Sequence, residues 1–149
     1  MRRKKVDDVS SGSTINTPRL HQDFCLAVVT KYRHPVITGK LNDRLLEISM
    51  SVIKEYWKSK IIEMNTDKDH IHILFETSPQ TQLSRLINNY KTVTSRLIRK
   101  EFAEELKPYY CRPYFWSDAY FISSVSDLSE DVIREYIQEQ GKKSAADPA

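Results

Sequence analysis

The sequence predicts an α+β fold in which an antiparallel sheet of four strands has two helices packed on one face. Two observations support this prediction. Segments with the two-residue period of strands and segments with the 3.6-residue period of helices alternate in the order β-α-β-β-α-β. The second and third strands are separated only by a polar turn, Asp67-Lys68-Asp69, as in a hairpin. This order is that of the split βαβ, or ferredoxin-like, fold, and one more helix follows it.

The elements follow from the apolar pattern in chain order. The predicted strands are residues 24–30, 61–66, 70–77 and 119–125, and the predicted helices are residues 41–60, 81–102 and 126–141. The first two helices each have an apolar face, formed by Leu41, Leu45, Ile48, Val52 and Tyr56 in the first and by Leu83, Leu86, Ile87, Tyr90, Val93 and Leu97 in the second.

Length and composition indicate one folded domain with loose ends. The chain has 149 residues, 40% of them hydrophobic, and a formal net charge of +3. We expect a disordered N-terminal arm over residues 1–20, a domain over residues 21–141 and a loose tail over residues 142–149. No apolar run is long enough to span a membrane, and the basic N-terminus lacks the apolar segment of a signal peptide. Two cysteines form no disulfide framework, which predicts a cytoplasmic protein.

Two histidines stand out on the third strand. Successive side chains of a strand alternate between faces, so His70 and His72 share one face while Ile71, Ile73 and Phe75 point into the core. Two imidazoles so arranged can bind one metal ion. A pair of exposed strand histidines is the alternative, and both interpretations stay open at this point.

The last predicted helix carries a second candidate group. Val132, Tyr136 and Gln140 lie at positions i, i+4 and i+8, so a phenol and a carboxamide project from one face. If that face crosses the sheet near the histidines, the four polar side chains form a site for metal-assisted phosphoryl transfer. Tyr136 is then the nucleophile, although a phenol with a pKa of ~10 needs activation. The alternative is a Tyr136 that packs on the sheet and a Gln140 on the surface.

Basic residues near aromatic ones indicate single-stranded nucleic acid as a partner. Such residues occur in the loop after the first strand and on the polar face of the second helix, and solvated surface is the alternative. The candidates are Lys31, Arg33, Arg85, Arg96 and Arg99.

Together these motifs resemble a known family. Asp69-His70-Ile71-His72 resembles the HUH motif (His, hydrophobic, His), and residues 135–140 resemble its tyrosine helix. Lys31-Tyr32-Arg33, residues 95–100 and residues 116–121 match in kind and order. Over residues 20–141 the sequence is similar to the single-tyrosine HUH transposases of the insertion-sequence 200/605 family, transposase A type.

The resemblance implies a DNA transposase that cuts and rejoins single strands at insertion-sequence ends through a 5′-phosphotyrosine intermediate. It implies Tyr136 as the nucleophile, with His70, His72 and Gln140 holding Mg²⁺ or Mn²⁺. It also implies a homodimer with shared active sites that binds DNA hairpins near the element ends. A domesticated relative that acts on chromosomal palindromes would have the same chemistry. One departure is the loop 123–126, which is often glycine-rich in the family and contains no glycine here.

Three other functions fit the sequence less well. A non-catalytic ferredoxin-like module that binds RNA or DNA fits the basic and aromatic loops, but it leaves His70, His72, Tyr136 and Gln140 without a role. A two-histidine phosphoesterase needs two His-x-Thr/Ser motifs, and neither His-Gln-Asp at residue 21 nor His-Pro-Val at residue 34 fits. Replication initiators and relaxases are usually larger and often carry a third histidine ligand or paired tyrosines, which this sequence does not show.

Overall fold

One antiparallel sheet and two long helices make up the domain. The computed structural model describes residues 21–125 together with residues 137 and 138. The strands are β1 (Gln22–Val29), β2 (Lys60–Asp67), β3 (His70–Thr77) and β4 (Phe121–Ser124), in the spatial order β2-β3-β1-β4. The helices are α1 (Gly39–Met50), α2 (Leu83–Glu101) and the short α3 (Ala103–Leu106). The predicted α+β, ferredoxin-like architecture is confirmed, with α3 added between the predicted second helix and the predicted fourth strand.

The core lies between one face of the sheet and the helices α1 and α2. Ile71, Ile73 and Phe75 of β3 are completely buried there against Leu26 and Val28 of β1. Residues between them on β3 are only partly buried, so burial alternates along the strand as predicted. Burying each such side chain contributes roughly 1.5–3 kcal/mol, which makes this face the main source of stability.

Substitutions on neighbouring strands test this assignment of faces. Ile73→Ala removes completely buried methyl groups, and we expect the free energy of unfolding to fall by about 2–5 kcal/mol. The matched control is Ile62→Ala at the bulge of β2, where the side chain is 46% exposed and the expected loss is below about 1 kcal/mol. Urea denaturation followed by circular dichroism measures both, and equal losses would contradict the assignment.

The first helix is shorter than predicted. Its α-helical geometry ends at Met50, and a wider π-type turn, Ser51–Tyr56, follows. The Trp57 amide donates to the Val52 carbonyl at 3.0 Å, an i→i+5 bond. Because this turn is wider, Tyr56 no longer lies above Val52, and it is 70% exposed instead of buried. The prediction of a helix through residue 60 is therefore wrong, and Lys60 begins β2.

The other elements agree with the predicted ones to within a few residues. The buried face of α2 contains Leu86, Ile87 and Tyr90, as its pattern predicted. The strand β4 is shorter than expected and, among the described residues, pairs with β1 at the edge of the sheet. The predicted arm at residues 1–20, the tail at residues 142–149 and all of the last helix except residues 137 and 138 lie outside the described residues. In the part of the chain that the structure describes, no helix is long and apolar enough to cross a membrane.

Candidate active site

Both histidines lie on the face of the sheet that is turned away from α1 and α2. Directly paired residues of antiparallel strands share a face, and His70 pairs with Val29 while His72 pairs with Ala27. Both imidazoles are partly buried. The prediction that the two histidines share one face, opposite to that of Ile71, is confirmed.

An apolar patch lies beside the histidines and receives the end of the described chain. Cys25, Ala27 and Val29 form it with partly buried neighbours on β3 and β4, and Ile137 packs on it and is itself buried. Burial, with the nearby charge of Glu63, raises the pKa of the Cys25 thiol to about 11, so this cysteine is a packing residue and not a nucleophile. Ile137 therefore lies on the same face of the sheet as the two histidines.

Behind His70, Asp69 and Arg33 form a chain of hydrogen bonds. The His70 Nδ1 atom lies 2.9 Å from Asp69 Oδ1, and Arg33 Nε donates to Asp69 Oδ2. Burial alone would raise the pKa of Asp69, but the hydrogen bonds from His70 and Arg33 outweigh it and hold this pKa below its usual value. An ionised carboxylate only accepts hydrogen bonds, so the contact with Asp69 places a proton on His70 Nδ1 and leaves Nε2 as the ring nitrogen that can face an ion.

The backbone that presents Arg33 is strained. Tyr32 and Arg33 have φ angles of 57° and 55°, in the left-handed region, which costs non-glycine residues roughly 1–2 kcal/mol each. The turn is held by the Arg33 amide, which donates to the Thr30 carbonyl at 2.9 Å, and by the Thr30 amide, which donates to the Asp69 carbonyl at 2.9 Å. The same bonds therefore direct the Arg33 side chain toward Asp69.

These groups fit a divalent metal ion. Neutral imidazoles suit Mn²⁺ and other first-row ions, and a carboxylate on the far nitrogen is a common way to orient a histidine ligand. Within residues 21–125 and 137–138, no group of three or more His, Cys, Asp or Glu side chains could hold an ion. His70 and His72 would thus need further ligands. The predicted further ligand, Gln140, and the predicted nucleophile, Tyr136, both lie outside the described residues.

The basic loop after β1 is committed to contacts within the protein. The Lys31 Nζ atom lies 3.7 Å from the Asp118 carboxylate and 5.2 and 5.0 Å from the ring centres of Tyr32 and Tyr114. Arg33 is paired with Asp69. Both cations therefore support the loop, a role that the sequence did not indicate.

The arginines of α2 have a different environment. Arg96 and Arg99 line an open groove of about 350 Å³ between α2 and the aromatic loop at residues 113–118. Arg96 is exposed and Arg99 is partly buried, while Arg85 is exposed on the same helix. These three side chains remain candidates for contacts with a polyanion.

Two residues of α2 anchor the wall of this groove. Lys91 donates to the carbonyl oxygens of Ser117 and Asp118 at 2.8 and 2.9 Å, and Trp116 Nε1 donates to Thr94 Oγ1 at 2.8 Å. Burial lowers the pKa of Lys91, because its ammonium group is partly removed from water. Trp116 is itself buried, so here the aromatic residue is structural.

Comparison with known proteins places the chain among transposases. A family model described as "Transposase IS200 like" matches residues 21–140. The ISDra2 transposase TnpA of Deinococcus radiodurans is 26% identical over 121 residues, which are 81% of this chain and 85% of that protein. The transposase for insertion sequence element IS200 of Salmonella typhimurium is 28% identical over 118 residues, 78% of this chain and 75% of the relative.

Solved structures show the same architecture. A crystal structure of a Deinococcus radiodurans protein assigned as a transposase superposes with a TM-score of 0.75 at 22% identity, covering 87% of this chain and 98% of that one. The structure of a REP-associated tyrosine transposase bound to a REP hairpin superposes with a TM-score of 0.53 at 10% identity, covering 85% and 68%. At these identities the likeness is one of fold.

Proposed function

Because the chain belongs to the family of IS200-like transposases, we propose that it cleaves and rejoins single-stranded DNA at insertion-sequence ends through a 5′-phosphotyrosine intermediate. The observation that supports this most directly is the position of Ile137. It packs on Ala27 and Val29, whose partners on β3 are His72 and His70. The residue before Ile137 is the predicted nucleophile, so the proposed nucleophile and the histidines belong to segments that meet on one face of the sheet.

The proposed reaction exchanges one phosphodiester for another. The Tyr136 hydroxyl loses its proton, its oxygen bonds to the scissile phosphorus, and the 3′-oxygen of the upstream strand leaves and takes up a proton. The 5′ end stays on the tyrosine. A second 3′-hydroxyl then attacks the phosphotyrosine and displaces the phenolate, which rejoins the strands. Because each step forms one P–O bond and breaks one, the exchange needs no ATP.

His70, His72 and Gln140 would hold Mg²⁺ or Mn²⁺ in this proposal. When bound, such an ion polarises the scissile phosphate. The contribution of the chain itself is the orientation of the ligands. His70 is already fixed by Asp69, and positions 136 and 140 share a helix face by their spacing. Two histidines and an amide are neutral ligands, so they leave the charge of the ion undiminished.

DNA binding is assigned to the groove beside α2. Arg96 is exposed there, and Arg99 is partly buried and donates from Nε to Ser95 Oγ at 3.2 Å. Lys31 and Arg33, in contrast, lie beside the carboxylates of Asp118 and Asp69. Arg85 extends the same basic surface along the helix. We propose single-stranded DNA with hairpins near the element ends as the partner, and a homodimer with shared active sites as the assembly. Sedimentation of the full chain tests the latter.

Neutralising the groove should weaken DNA binding in a salt-dependent way. For Arg96→Gln with Arg99→Gln, we expect a weaker affinity for hairpin DNA. The slope of log affinity against log salt should become shallower by about 0.7–0.9 for each phosphate that the protein no longer neutralises. Lys54→Gln, an exposed lysine in the turn after α1, is the matched control and should leave the slope unchanged. Fluorescence anisotropy at several salt concentrations measures both variants, and equal slopes would remove the groove from the DNA interface.

A denaturing gel tests the proposed chemistry. The full chain is mixed with single strands from the ends of its host element, labelled at the 3′ end, with and without Mn²⁺. The label lies 3′ of the cut because the tyrosine keeps that side. A metal-dependent protein–DNA adduct is expected. DNA binding without an adduct would instead support the non-catalytic binding module.

A further inference from the structure

The environment of Arg33 is unlike that of a DNA-binding arginine. We propose that Arg33 is a positioning residue. It links the position on the sheet of the segment that carries Ile137 to the orientation of His70. This inference rests on the proposed function insofar as His70 is a metal ligand. The sequence-based prediction that Arg33 contacts DNA is the alternative from which the experiments below distinguish it.

An unbroken chain of hydrogen bonds supports the inference. Arg33 Nη1 donates to the Ile137 carbonyl at 3.4 Å, and Arg33 Nε donates to Asp69 Oδ2. The other carboxylate oxygen, Asp69 Oδ1, accepts from His70 Nδ1 at 2.9 Å. One planar guanidinium thus joins the tyrosine-bearing segment on one side to a predicted metal ligand on the other. Only arginine has donors placed to do both at once.

The Ile137 carbonyl is a suitable partner for a cation. The sequence predicts that the last helix ends at Gly141, so Ile137 belongs to its final turn. Carbonyls in the last turn of a helix lack partners within the helix and carry partial negative charge. A guanidinium at this end therefore stabilises the segment where it lies. A DNA phosphate on Arg33 would have to compete with both the carbonyl and the Asp69 carboxylate.

The loop around Arg33 is built to keep it in place. Tyr32 and Arg33 both adopt the left-handed backbone conformation, although neither residue is glycine. The Lys31 amide donates to the Phe115 carbonyl at 2.8 Å, and the Tyr110 hydroxyl donates to the Lys31 carbonyl at 2.6 Å. A strained turn held by contacts from a distant loop is typical of residues whose side-chain direction matters.

Two measurements test the coupling. Neither uses DNA or depends on strand cleavage, so their outcome is independent of whether the chain forms a phosphotyrosine. The first is the Mn²⁺ affinity of the full chain, measured by titration with electron paramagnetic resonance. The second is amide hydrogen exchange at Ile137 and Gln138. For Arg33→Gln we expect an affinity about 10-fold weaker, as for other residues that orient a metal ligand, and faster exchange at both amides.

Two further variants separate positioning from DNA contact. Arg33→Lys keeps the positive charge but cannot reach both partners, so it should fail like Arg33→Gln, whereas a phosphate contact would tolerate it. Arg96→Gln is the control: it should change the salt dependence of DNA binding and leave Mn²⁺ affinity and exchange unaltered. Urea denaturation shows that each variant is folded.

Either of two results would overturn the coupling. One is that Arg33→Gln leaves the Mn²⁺ affinity or the exchange at residues 137 and 138 unchanged. The other is that Arg33→Lys restores both measurements. If, in addition, Arg33→Gln lowers the salt slope of DNA binding as Arg96→Gln does, Arg33 is a DNA contact.

Discussion

Replacing Tyr136 with phenylalanine is expected to abolish strand cleavage and the covalent protein–DNA adduct, while the affinity for hairpin DNA stays near that of the wild-type protein. Phenylalanine keeps the ring but lacks the hydroxyl that forms the bond to phosphorus. Removing the nucleophile of a covalent mechanism usually costs more than about 10³-fold in rate, far beyond the effect of altered packing. A denaturing gel with 3′-labelled strands measures the adduct, and a native gel measures binding.

A matched control separates the missing nucleophile from a general effect of losing a phenol. Tyr56→Phe removes the hydroxyl of a tyrosine that is 70% exposed on the turn after α1. The cleavage rate of this variant should equal that of the wild-type protein. Cleavage that persists in Tyr136→Phe would show that another group attacks the phosphate, and the nucleophile assignment would have to be abandoned.

Replacing either His70 or His72 with alanine should weaken Mn²⁺ binding by more than about 100-fold and remove metal-dependent cleavage. A change that only disturbs the orientation of a ligand costs about 10–100-fold, so the loss of the ligand itself should cost more. Isothermal titration with Mn²⁺ measures the affinity directly, without DNA. Because both imidazoles are only partly buried and lie on the face of the sheet turned away from α1 and α2, the free energy of unfolding should change little.

His21→Ala is the matched control for these two variants. The side chain of His21 is 62% exposed. His21 lies just before the first residue of β1, whereas Val29, which pairs with His70, lies at the other end of this strand. Its removal should alter neither Mn²⁺ affinity nor cleavage. An unchanged titration for His70→Ala and His72→Ala would take both residues out of the site and leave the function of this face of the sheet unexplained.

The sequence was sufficient for the features that depend on local geometry. The alternation of side chains along a strand is a property of the backbone, so the pattern of residues 70–77 assigned the histidines and the isoleucines to opposite faces correctly. The apolar stripe of α2 and the short turn before His70 are equally local. These few patterns are enough to specify the order of the elements and hence the fold.

Contacts between distant segments explain where the sequence was misleading. The periodicity of the first helix continues to Tyr56, but the chain leaves the helix earlier. Trp57 Nε1 donates to Asn89 Oδ1 at 2.9 Å, and Ser59 Oγ donates to Thr77 Oγ1 at 2.8 Å. Such bonds to α2 and β3 hold the end of the helix in a geometry that its own apolar pattern does not predict.

Arg33 shows the difference most clearly. The sequence identified it as a cation in an aromatic loop and predicted a DNA contact, which stays a prediction, but it did not identify the partners of Arg33 within the protein. Its partner, Asp69, lies 36 positions away in the chain, and its other contact, Ile137, lies 104 positions away. The direction of a strand residue is set by the covalent backbone, which the sequence contains. The partner of a long charged side chain depends on which segments become neighbours, and only the folded chain brings these three together.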